Sequence, residues 1–112
     1  MSVKTELKGN VAILHIKGKL MGGKETDECH LKVKDLIAEG KKDIVVDLSK
    51  VAWVNSRGLG MLMACFTSIK NADGVFKISG ATKKTKSLFM LTKLLTIFEC
   101  YDKVDEAVAS FK

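Results

Sequence analysis

An α/β domain built on a mixed, mostly parallel sheet with helices packed against it is the fold this 112-residue sequence predicts. Three observations lead there. The run Asp43-Ile44-Val45-Val46-Asp47-Leu48 is apolar with little alternation, as in a central strand covered on both faces. Further along, strand-like runs alternate with stretches of helical period, which implies parallel strands joined by right-handed crossovers. Only the beginning departs from that alternation, where two strand-like runs flank the turn dipeptide Gly9-Asn10.

The elements follow in order. Val3 to Lys8 and Val11 to Ile16 form an amino-terminal hairpin, and Met21-Gly22-Gly23 breaks the chain. From Lys24 to Glu39, Cys29, Val33, Leu36 and Ile37 recur at helical spacing, and Gly40 supplies the stop. The buried strand Asp43–Leu48 comes next, then a short extended link, Val51 to Val54. Ser56 to about Asn71 is a helix with Leu59, Leu62, Met63, Phe66 and Ile69 on one face. Met61, Ala64 and Cys65 make much of the remainder apolar, so this helix is either largely buried or partly a contact surface. Ala72-Asp73-Gly74 turns into the strand Val75–Ser79. Thr82 caps a helix reaching about Lys93, with Leu88, Leu91 and Leu95 expected inward. Ile97 to Tyr101 is a short last strand. Asp102 to Phe111 closes the chain as a helix, with Val104, Ala107, Val108 and Phe111 on one side. The order is ββαβαβαβα, in a single domain over residues 1–112.

Composition excludes several classes. With 46% hydrophobic and 29% charged residues the chain is globular rather than disordered. No apolar run approaches the roughly 18 residues of a membrane span, so no membrane insertion is expected. Met1 to Glu6 lacks an apolar secretory core, so no export signal is expected and the cytoplasm is the expected location. Cys29, Cys65 and Cys100 are odd in number and far apart, which suits buried thiols rather than disulfides or zinc. His15 and His30 have no carboxylate or cysteine at ligand spacing, and neither a metal nor a cofactor is expected. The net charge of +6 raises nucleic acid as a partner, but of 19 basic residues only Arg57 is an arginine and the lysines are scattered. Readers of nucleic acid cluster arginine and aromatics on one face. A solvated lysine surface, or an acidic protein partner, explains the charge better.

The functional signal lies in Asp47-Leu48-Ser49-Lys50-Val51-Ala52-Trp53-Val54-Asn55-Ser56-Arg57-Gly58-Leu59-Gly60. A buried strand runs into a loop that delivers Asn55-Ser56 to the start of an apolar helix. Two glycines in that first turn cost about 1 kcal/mol each relative to alanine, so they ask for a reason: close approach of another backbone, or access to Ser56. Taken alone, Ser56 reads as a helix N-cap, Asn55 as a loop residue bonding its own backbone, and Trp53 as a core or rim anchor. No Ser/His/Asp arrangement, Cys/His pair, paired carboxylates or phosphate-cradling loop is present. The Gly-x-Ser-x-Gly elbow of hydrolases fails because Val54 stands two before Ser56. An enzyme is not expected.

This segment resembles the signature of the STAS domain family, and within it the bacterial anti-sigma factor antagonists. Asp47-Leu48-Ser49 matches the end of the family's strand. Ser56, Gly58, Leu59 and Gly60 match its Asp-Ser-Ser-Gly-Leu-Gly turn, and the whole element order agrees. Two positions depart: Asn55 stands where the family usually has Asp, and Arg57 where it commonly has Ser. The resemblance implies that Ser56 is the phosphorylated serine. It implies an anti-sigma factor serine kinase as partner, held by the unmodified form, and a serine phosphatase that reverses the switch. Met21, Gly22, Gly23, Asn55, Ser56, Arg57, Gly58, Leu59 and Met61 are the expected partner-binding residues, with Leu59 and Met61 facing the partner. The alternative is a STAS scaffold or accessory subunit of a signalling or lipid-transport complex that works without phosphorylation.

Overall fold

The computed structural model describes residues 2–111. Its elements run β1 (Ser2–Lys8), β2 (Val11–Leu20), α1 (Lys24–Ala38), β3 (Asp43–Val54), α2 (Ser56–Asn71), β4 (Val75–Ser79), α3 (Lys83–Leu91), β5 (Glu99–Tyr101) and α4 (Val104–Ala109). A 3-10 turn, Leu94–Thr96, follows α3. The order is the one expected. The five strands lie in the sheet in chain order, with β1 antiparallel to β2 and every other pair parallel. The hairpin closes between Lys8 and Val11, with Gly9 at φ +62°.

Both faces of the sheet are covered, and that explains the unalternating strand. Leu14, Ile16, Ile44, Val46 and Ile78 pack with Cys29, Val33 and Leu36 of α1 and Leu62, Cys65 and Ile69 of α2. On the opposite face Val11, Ile13 and Val45 meet Ala107 of α4, flanked by Tyr101, Val108 and Phe111. Val45 is fully buried and Val46 1% exposed.

Several boundaries differ from expectation, each for a local reason. Val51–Val54 is the end of β3 rather than a link. It stays paired to β2 through Gly18↔Val51 and Leu20↔Val54, with register shifts between His15/Lys17 and Gly18/Lys19 absorbing the irregularity. The last strand begins only at Glu99, because Phe98 turns into a cluster of rings with Phe66, Phe76 and Phe89 at centroid distances of 5.3–5.9 Å. Leu91 and Leu95 do not face inward: they are 83% and 39% exposed. Phe89 is the buried residue of α3, and Leu91, two positions on, projects roughly 200° around the helix. The helix then ends and Lys93 turns the chain in the left-handed region, so helical spacing no longer carries to Leu95. Leu88 is half-buried.

The lysines are not all solvated either. Lys77 is 5% exposed on the α4 face. Its ammonium donates to Ser110 Oγ at 2.6 Å, lies 4.3 Å from the centre of the Phe111 ring and pairs with Glu99 at 3.6 Å. The buried charge thus fastens the end of α4 to β4.

Candidate functional site

Two loops at the carboxyl ends of β2 and β3 meet here. Pairing of the two strands runs to Leu20↔Val54, so the loops that follow leave the sheet side by side. Asn55 joins them. Its backbone N–H donates to Leu20 O at 3.1 Å and its Nδ2 to Met21 O at 2.9 Å. Its Oδ1 accepts from the Gly58 amide at 2.9 Å, which makes Asn55 the N-cap of α2. The capping role read for Ser56 therefore belongs to its neighbour. Ser56 is the first residue of the helix, exposed, with its hydroxyl not spent on the cap.

Glycine makes the close junction possible. A Cβ on Gly58 would fall 2.2 Å from Leu20 O, so the close approach of another backbone is the reason for this glycine. A Cβ on Gly60 would meet nothing within 4 Å, and the same reason does not apply there. Gly22, at φ +95°, lies under the aliphatic stem of Arg57, whose Cδ would be 2.5 Å from an added Cβ. The Gly22 amide donates to Thr26 Oγ1 at 2.9 Å, tying the same turn to α1. The first turn of α2 carries no acidic residue, and Arg57 and the positive end of the helix stand beside Ser56.

Of the expected partner-binding residues, the structure groups Met21, Gly22, Gly23, Asn55, Ser56, Arg57 and Gly58 at this junction, with Met21 44% exposed. Leu59 and Met61 are corrected: they are 8% and 6% exposed and belong to the core. Helix α1 packs along α2, with His30 bonded to Ser68 across them at 2.9 Å, and so covers the second apolar stripe of α2. His30 is half-buried by that packing. Leu59 still contributes to the floor of a groove of about 480 Å³ beside Ser56, walled by Trp53, Leu88 and Leu91. Trp53 is 40% exposed at its rim, with Lys84 Nζ 4.9 Å from the ring centre.

Sequence spacing missed one charged cluster. His15 of β2 lies between Asp47 of β3, at 2.7 Å from Nδ1, and Glu6 of β1, at 2.8 Å from Nε2. Partial burial works against the imidazolium, but hydrogen bonds to Glu6 and Asp47 outweigh it and hold the His15 pKa above its usual 6.5. Burial opposes the Asp47 carboxylate too, yet the Ser49 amide and His15 hold its pKa below the usual 3.8. Adjacent strands created this cluster, at separations of 9 and 32 residues. The thiols are quiet: burial pushes Cys29 up to about 11 and Cys65 up to about 12. Cys100 is only half-buried. Among the described residues no helix is long and apolar enough to cross a membrane.

A sheet in chain order, with an exposed serine opening the helix after its central strand, fits the STAS domain family. The chain matches that family over residues 2–107 and belongs to it. It is 30% identical over 95 residues to a Thermotoga maritima protein provisionally named an anti-sigma factor antagonist, covering 80% of this chain and 84% of that one. A crystal structure of a Thermotoga maritima protein under the same provisional name superposes with a TM-score of 0.83 at 25% identity, over 96% of this chain and 92% of the other. The phosphorylated form of SpoIIAA from Bacillus shares the fold, with a TM-score of 0.78 at 13% identity over 99% and 100% of the two chains.

Proposed function

We propose that this protein is an anti-sigma factor antagonist, a binding module rather than an enzyme. In this reading it holds an anti-sigma factor serine kinase through the junction of the β2–α1 and β3–α2 loops and releases it when Ser56 is phosphorylated. The observation that carries the proposal is Ser56 itself, exposed at the first position of α2 on a STAS fold. The names of the Thermotoga relatives support the general role.

The physics of the switch is local. A phosphate adds about −1.5 to −2 charges and three acceptor oxygens. At the start of α2 it would meet the positive helix end and Arg57, so the fold tolerates it. A partner seated on the junction would have to desolvate that charge. Modification therefore changes binding while leaving the domain intact. A serine phosphatase acting on the modified form would restore binding.

The test is phosphorylation by the co-encoded kinase, located by mass spectrometry, followed by binding of each form to that kinase. Incorporation at Ser56 with a large loss of affinity is expected. Equal affinity of the two forms would overturn the switch. No incorporation at Ser56 would replace it with an unphosphorylated STAS scaffold, in which Asn55 serves only to staple the two loops.

A further inference from the structure

Exposed apolar side chains are concentrated at one end of α3. Of the eight large hydrophobics exposed among the described residues, four lie within residues 90–97: Met90 at 67%, Leu91 at 83%, Leu95 at 39% and Ile97 at 42%. The chain here is held from beneath. Phe89, Leu94 and Phe98 are buried, and Lys93 turns the backbone at φ +61° between α3 and the 3-10 turn. The exposed side chains are therefore presented by an anchored turn; Met90 stands outward, and Leu91, though 83% exposed, also walls the groove beside Ser56.

The sequence of this segment carries charge of one sign, and Glu99, which follows it, is paired with the buried Lys77. Residues 81–98 include Lys83, Lys84, Lys86 and Lys93 and no Asp or Glu. Lys86 is committed to Asp102 at 2.9 Å, while Lys83, Lys84 and Lys93 are exposed. Half-exposed Trp53 lies beside Lys84. Protruding aliphatic side chains, flanking lysines and an amphipathic aromatic at the edge match the chemistry of an anionic lipid interface.

We propose that the end of α3 and the turn after it form a membrane-adsorbing tip. Met90 and Leu91 dip into the headgroup layer of an anionic leaflet, and Lys84 and Lys93 contact its phosphates and carboxylates. Nothing spans the bilayer; the folded domain docks reversibly, and with so few apolar anchors the docking is weak and salt-sensitive. The tip borders the groove beside Ser56 through Leu91 and Trp53, and its adsorption does not require phosphorylation of Ser56.

Flotation of the full chain with phosphatidylcholine vesicles, with and without phosphatidylserine, tests the proposal. Binding is expected only with phosphatidylserine. Leu91→Asp should weaken it about tenfold or more while leaving the thermal midpoint unchanged, because Leu91 is 83% exposed. Lys84→Gln combined with Lys93→Gln should weaken it about 30-fold, from roughly fivefold per lysine near the surface. Leu31→Asp on α1, also at an exposed leucine, should bind like the wild type. No binding to either vesicle, equal binding to both, an undiminished Leu91→Asp, or equal loss in Leu31→Asp would each overturn the proposal. In the first case the tip becomes a contact surface for another protein.

Discussion

Gly58 sits so close to Leu20 that a methyl on its Cα would lie 2.2 Å from the Leu20 carbonyl oxygen and 2.8 Å from its Cβ. The start of α2 and the end of β2 are therefore packed at glycine distance. Gly58→Ala should destabilise the domain by about 1–3 kcal/mol, the usual range for overpacking, against a helix propensity that favours alanine. Gly60→Ala, with open space and an ordinary helical backbone, should instead stabilise by up to about 1 kcal/mol. Denaturant melts of the two variants check the opposite signs.

Asn55→Asp separates capping from stapling. A carboxylate can still accept from the Gly58 amide, and it suits the helix end. It cannot donate to Met21 O, which would then face an oxygen. Global stability should stay within about 1 kcal/mol of the wild type. The expected signature is faster hydrogen exchange confined to Gly22 and Gly23, measured by NMR.

The His15 cluster gives a pH dependence with a defined sign. A neutral imidazole donates from one nitrogen only, so serving both Glu6 and Asp47 needs the protonated ring. With its pKa raised, His15 contributes stability that is fully present below about pH 6.5 and is lost as pH rises through the folded-state value. Asp47, with its pKa lowered, contributes above about pH 3.8 and is lost as pH falls through its folded-state value. The gap in thermal midpoint between wild type and His15→Gln should shrink by about 1–5 °C from pH 5.5 to pH 8.5, the scale for a partly exposed ion pair. A constant gap would show that the proton is not shared.

Lys77 tests whether a buried cation stabilises or merely fits. Lys77→Met keeps the stem under Phe111 and removes the charge, and should be neutral or stabilising by up to about 2 kcal/mol. Lys77→Ala leaves a void between β4 and α4 and should cost about 2–4 kcal/mol. Paired urea unfolding curves decide.

Ser56 variants bear on the switch. Ser56→Ala should bind the partner kinase like the unmodified protein. Ser56→Asp should lose about 2–5 kcal/mol of binding, roughly a 30-fold to several-thousand-fold fall in affinity. Both should melt near the wild type, and calorimetric titration measures the difference.

Periodicity carried far in this chain because its burial is regular. The unbroken run at Ile44–Leu48 announced a strand covered on both sides, and the residues around Ser56 announced the strand-to-helix turn that the structure has there. What stayed hidden was made by contacts between distant segments. Asn55 became the cap because its backbone and amide were already engaged by Leu20 and Met21. Leu59 and Met61 vanished into the core because α1 lies along α2. Leu91 misled because Leu88, Leu91 and Leu95 make as good a helical stripe as the one Phe89 sets, and the ring cluster that chose between them is not local. His15 found its carboxylates only through strand pairing.

A sheet whose strands lie in chain order suits vectorial synthesis. As the polypeptide leaves the ribosome, each strand finds its neighbour already emerged, and one face is roofed by α1 and α2 as they appear. The other face waits. Val11, Ile13 and Val45 gain their cover from α4, translated after every strand of the sheet. Until then the nascent chain carries a finished side and a wet, sticky one, and a chain stalled before Val104 should be a client for chaperones rather than a smaller stable domain.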